Sequence, residues 1–92
     1  MDTQLIMELV KSGIGIRHTL RDTYLTAIIE GVVKELEDEK GLVLESTNPH
    51  HLMFCVDYSI FRYEKSGKGT MPRDLQYRLH NLIVHSGGGS IV

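Results

Sequence analysis

Apolar side chains recur along this chain at three- and four-residue steps, the spacing that lines one face of an α-helix. The longest such segment is Thr19 to Gly41. In it Tyr24, Leu25, Ile28, Ile29, Val32, Val33 and Leu36 form a stripe uninterrupted by proline. The pattern predicts a long helix, about 30 Å at ~1.5 Å per residue, with Thr19 and Asp22 as its capping pair and Gly41 as its left-handed stop. A shorter stripe, Leu5, Ile6, Leu9 and Val10, predicts a first helix over Thr3–Ser12, capped by Asp2 and ended by Gly13. Asn48-Pro49 is a cap followed by proline at the first helical position. It opens a third helix, His50–Lys65, that is apolar round most of its circumference: Leu52, Val56, Ser59, Ile60 and Tyr63, widened by Met53, Phe54, Tyr58 and Phe61. Such width predicts burial on more than one side. Met71-Pro72 opens a fourth helix with the stripe Leu75, Leu79, Leu82 and Ile83.

The segments between helices read as connectors. Ile14-Gly15-Ile16-Arg17-His18 is too short and glycine-rich for a helix. Leu42–Thr47 is a brief apolar, extended run, and Ser66–Thr70 is a glycine loop carrying a lysine. Gly87-Gly88-Gly89-Ser90 cannot sustain a helix and predicts a flexible arm over 87–92, tipped by Ile91 and Val92, that docks on a partner. The fold expected is all-α: one domain over 1–86, four helices bundled round the long one, then the arm.

Composition narrows the function. Ninety-two residues suit one thin-cored domain that gains from partner subunits. A net charge of -2 gives no general case for nucleic-acid or membrane binding. The apolar runs fall short of the roughly 20 residues that span a bilayer, and the first residues lack the basic stretch of a secretory leader. The single cysteine, Cys55, has no internal disulfide partner, which suits a reducing cytoplasm. Charge is nonetheless uneven: Glu30–Glu45 holds six acids and two lysines, net -4, and Arg62–His85 five bases and two acids, net +3. Solvated helix faces account for such runs in most proteins. The sharper reading is complementary edges on neighbouring subunits, a head-to-tail arrangement that closes into a ring.

The candidate chemistry is sparse. A GxG pair at Gly13 and Gly15 lacks the further glycines of a phosphate loop. His51 and Cys55 share a helical face, but His50 and His51 diverge and His80 and His85 are five apart, so neither a zinc set nor another cofactor site is expected. Cys55 lies in the apolar run LMFCV, where burial makes a thiol inert. Asp57 and Glu64 show no sign of flanking a cleft. No enzymatic constellation emerges. A DNA-reading fourth helix, using Arg73, Gln76, Arg78, His80 and Asn81, is the alternative: a small regulator from a mobile element. The loop before that helix is long for a helix-turn-helix.

Three runs, ELEDEKG closing a long helix, then NPHHLMFCVDYSIFRYE, then MPRDLQYRLHNL, resemble the small head-tail connector proteins of tailed phages and prophages, the gp6-like or DNA-packaging connectors. The likeness spans about Leu5 to His85 and includes the connector at Gly15-Ile16; the triplet Arg62-Tyr63-Glu64 and MPRDLQYRL are its more distinctive parts. It implies a helical structural protein of the virion, made in the host cytoplasm, without catalytic residues or cofactor. It implies a homo-oligomeric ring, dodecameric in the virion, that sits below the portal protein, lets DNA pass without specific binding, and docks a tail-side stopper. The modest charge departs from a channel lined with cations. The charge asymmetry assigns the subunit contacts to Glu35, Glu37 and Asp38 against Arg62, Arg73 and Arg78, with Tyr63 also at the interface and Ile91 and Val92 as the docking arm.

Overall fold

The computed structural model describes residues 1–65 and 69–85; the arm over 87–92, with Ile91 and Val92, lies outside the described residues. The described chain is all-helical. It comprises α1 (Thr3–Ile14), α2 (Asp22–Lys34), α3 (Pro49–Lys65) and α4 (Arg73–His85), and α2 runs on into a π-helical turn, Glu35–Glu39.

α1 starts where Asp2 accepts a bond from the Leu5 N–H at 3.1 Å. It buries Ile6, Met7 and Val10. It does not stop at Gly13. The left-handed residue is Gly15, with φ 76°, and its N–H reaches back to the Lys11 carbonyl. Gly13 stays helical for a packing reason: a Cβ there would lie 3.0 Å from Ile60 Cδ1, so its bareness lets α1 approach α3.

The capping pair expected of Thr19 and Asp22 is replaced by another arrangement. α2 begins after Arg21 without a side-chain cap. Thr19 contributes its carbonyl, which accepts from the Asp22 N–H at 3.1 Å. The Asp22 carboxylate instead takes Lys11 Nζ at 2.7 Å, tying α2 to α1. The far end follows the expectation. Gly41 is left-handed, φ 69°, and the Leu42 N–H bonds back to the Leu36 carbonyl at 3.0 Å, one position longer than the 6→1 return of the usual glycine-ended helix. The π-helical turn is the departure, closed by Lys40 N–H donating to the Glu35 carbonyl.

Leu42 and Leu44 are buried while Val43 between them is exposed, so this link alternates like a strand with no partner strand among the described residues. The Asp2 N–H donates to Ser46 Oγ and the Glu45 N–H to His51 Nδ1. These bonds moor the link to the starts of α1 and α3. Asn48 caps α3, its Oδ1 accepting from the His50 and His51 N–H groups.

Among the described residues α3 is the one helix in contact with all three others; α1 and α2 also touch each other, whereas α4 packs on α3 alone. The core lies between α1, α2 and α3. Ile6, Val10, Leu25, Ile29, Val32, Leu36, Phe54 and Cys55 are each 1% exposed or less. At about 25 cal/mol per Å² of apolar surface, each full-sized aliphatic side chain buried here contributes roughly 1.5–3 kcal/mol.

Candidate functional site

The residues expected at a subunit edge separate into two groups. The first is used inside the chain. Glu35, at the head of the π-helical turn, accepts from Tyr58 OH at 2.9 Å and faces Arg62 Nη2 at 3.5 Å. Arg62 in turn lies over the Tyr58 ring, 5.4 Å from its centroid. Burial, followed by the bond to Glu35, raises the Tyr58 pKa. Glu35, Tyr58 and Arg62 thus form a clamp between α2 and α3. Arg78 belongs to a second clamp. It holds Asp57 at 2.7 Å, has Asp74 at 3.7 Å, and lies over the Phe54 ring. Tyr63 tilts against Tyr24 with centroids 6.1 Å apart, and the Arg21 guanidinium lies over the Tyr63 ring, 5.9 Å from its centroid.

The second group faces solvent. Glu37, Asp38 and Glu39 are exposed on the π-helical turn, Asp38 with an i,i+4 bridge to Lys34 at 3.0 Å. Asp38 raises the Lys34 pKa. Arg73 is exposed at the start of α4. The structure therefore brings Glu35 and Arg62 together and keeps Glu37 and Asp38 out of any bond with Arg73 or Arg78 among the described residues.

Sequence reasoning overlooked Tyr58 and Asp57 as charge partners. Tyr58 lies one turn before Arg62, a usable signal; Asp57 and Arg78 are joined only by the packing of α4. The reading also passed over Arg17 and Arg21. Both are exposed in the turn between α1 and α2, and neither bonds an acid among the described residues.

Exposed apolar side chains mark the same surfaces. Leu20, beside Arg21, is 87% exposed, and Val43, just past the acidic turn, is 74% exposed. On α4 only Leu75 is fully buried; Leu79, Leu82 and Ile83 are half-covered, and Tyr77 and Val84 face out. A groove of about 480 Å³ runs between the start of α3 and the second half of α4, with Met53, Phe54, Arg78 and Leu82 among its walls.

Cys55 is fully buried, and that burial, helped by the charge of Glu37, pushes its thiol up to about 12. It is therefore protonated and unreactive at neutral pH. Among the described residues no three His, Cys, Asp or Glu side chains are grouped to hold a metal ion, and no helix is long and apolar enough to cross a membrane. Comparison with protein-family models, curated proteins and solved structures found no match.

Proposed function

We propose that this chain is a structural subunit of a phage or prophage head-tail connector: a protein that joins copies of itself into a ring under the portal, continues the DNA channel, and receives the next tail-side component. The observation that carries the reading is the half-seated fourth helix. Among the described residues α4 packs on α3 alone and leaves Leu79, Leu82 and Ile83 part-covered. A subunit that completes its core against neighbours has this form, as obligate interfaces resemble a domain core cut in half. The likeness of RYE and MPRDLQYRL to connector proteins supplies the biological setting. The exposed acidic turn and the exposed cations of the α1–α2 turn supply opposite signs for docking.

The test is solution mass by light scattering over a concentration series, with and without purified portal protein. The expected result is a discrete large oligomer or capture by the portal. A monomer or dimer indifferent to portal would refute the reading. Retention of that dimer on duplex DNA, with steep salt dependence, would favour the DNA-binding regulator in its place.

A further inference from the structure

The two ends of the α2 rod are dressed in opposite ways. Thirteen α-helical and five π-helical residues separate the turn before α2 from Gly41, roughly 27 Å at ~1.5 Å per residue. At the first end stand Arg17 and Arg21, with Leu20 between them and almost wholly exposed. At the far end stand Glu37 and Glu39, with Val43 exposed beyond them.

Both charge sets oppose what the helix itself prefers. A helix N-terminus carries partial positive charge and favours acids; a C-terminus favours bases. Here cations crowd the N-terminal approach, and the π-helical turn carries Glu35, Glu37, Asp38 and Glu39 against a single base, Lys40, at its C-cap. Asp22 at the first end, and Lys34 and Lys40 at the far end, soften the charge without reversing it. Within the chain Glu35 is used by Tyr58 and Arg62, Asp38 by Lys34, and Arg21 by the Tyr63 ring; Arg17, Glu37 and Glu39 take no ion-pair partner among the described residues. Local rules broken without a compensating gain inside the fold are expected at functional surfaces.

We infer that the α1–α2 turn of one copy docks on the acidic end of α2 in the next, Leu20 meeting the Val43 surface while Arg17 and Arg21 face Glu37 and Glu39. The contact is head-to-tail, since the two surfaces belong to opposite ends of one rod and each carries charge that repels its own kind. The apolar knobs supply water exclusion and the rim charges fix register. The inference rests on the connector reading for closure of the contacts into a ring, and on the surfaces themselves for the contact. It also relocates the basic partner of the acidic turn, because Arg62 and Arg78 are engaged within the chain.

Cross-linking and charge exchange test it together. Leu20→Cys and Val43→Cys variants are prepared separately; the native Cys55 is buried. Mixed at millimolar concentration under mild oxidation, they should give a cross-linked pair that neither forms alone. Absence of the mixed product, or equal self-linking of either variant, overturns the inference. In parallel, Arg17→Glu with Arg21→Glu in one chain, or Glu37→Lys with Glu39→Lys in another, should each weaken self-association by about tenfold or more. A mixture of the two charge variants should restore it, because every junction then joins opposite signs. Both sets move charge in the direction the helix ends favour, so thermal stability should hold or rise for the Glu37 and Glu39 pair, and fall by no more than the lost Arg21–Tyr63 contact for the arginine pair, while association falls in both. Weakened association that mixing does not restore would count against the contact. A specific 20–43 cross-link with no ring and no portal binding would keep the contact and remove the connector reading. A portal-binding ring without that cross-link would do the reverse.

Discussion

On one side of α3, Ile6, Val10, Leu25, Ile29, Val32 and Leu36 close against Phe54 and Cys55 with almost no exposure. On the other side, α4 gives Leu75 alone to the fully buried core, and Arg78 spans the seam to Asp57. Two helices crossing α3 and each other exclude water from three directions. A single helix laid on α3 excludes it from one. The amphipathic stripe of α4 is as wide as that of α1, so the difference lies in what each stripe meets. The first side secures the domain; the second leaves apolar surface for an assembly to cover.

Truncation on the two sides gives the largest contrast. Ile29→Ala should cost about 2–5 kcal/mol, the range for a well-packed core aliphatic that leaves a cavity. Leu82→Ala, half-covered in the isolated chain, should cost about 1 kcal/mol, in proportion to the smaller area withdrawn from water. Denaturant unfolding measures both. Equal losses would show α4 seated as firmly as α2.

Alkaline titration sharpens the same contrast, because its main group lies on the secure side. The folded chain holds the Cys55 proton to about 12 against an ordinary value of 9.0. The folded state therefore binds more protons than the unfolded state between those values. The contribution is fully present below about pH 9 and falls away as pH rises towards 12, at up to about 1.4 kcal/mol per pH unit. The raised Tyr58 adds loss of the same sign above its ordinary 10.0. Stability measured against pH should bend downward above pH 9, and Cys55→Ala should flatten the first part of the bend. An unchanged slope in that variant would assign the loss to other groups.

The helices and their buried faces were legible in the chain because each stripe is local: the spacing that places Leu25, Ile29, Val32 and Leu36 on one face needs no knowledge of what covers it. Gly41 was legible as a stop, since nothing but its left-handed turn calls for glycine there. Gly13 and Gly15 were not separable. One is bare because Ile60 comes close, the other because its φ is positive, and that difference rests on a residue forty-seven positions away from Gly13. The charge partners failed for the same reason. Glu35 and Arg62 are read as opposite edges of a net-charge map, yet the packing of α2 against α3 sets them face to face. Runs of charge show sign along the chain; pairing is a property of the packed helices. The cations left facing solvent, Arg17 and Arg21, sit in a connector where no periodicity drew notice.

Hydrogen exchange offers a view without mutation. Amides of α4 should exchange through a local opening less costly than the global one, while those of α3 facing Leu25 and Ile29 should open only with the whole domain. Matching protection in α3 and α4 would merge the two regions into one cooperative unit. Addition of the assembly partner should raise protection in α4 selectively, since its uncovered stripe is what an interface would bury.

The smallest expected effects concern the two clamps. Glu35–Arg62 ties α3 to α2 with Tyr58 as a third member, and Asp57–Arg78 ties α3 to α4. Their side chains keep between a fifth and two-fifths of their surface open, so screening limits both, and double-mutant cycles should return couplings of about 0.5–1 kcal/mol. Direct distance favours the second clamp, 2.7 Å against 3.5 Å. The first has the tyrosine hydroxyl bond and the guanidinium over the ring besides. The discriminating quantity is what happens when Tyr58→Phe is added to the Glu35–Arg62 cycle. If the three groups act as one unit, the coupling should change by several tenths of a kcal/mol, whereas Phe54→Leu beneath Arg78 should leave the Asp57 coupling nearly as it was. Equal insensitivity of both would reduce the clamps to ordinary surface pairs. The difference between the two sides of α3 would then rest on apolar burial alone.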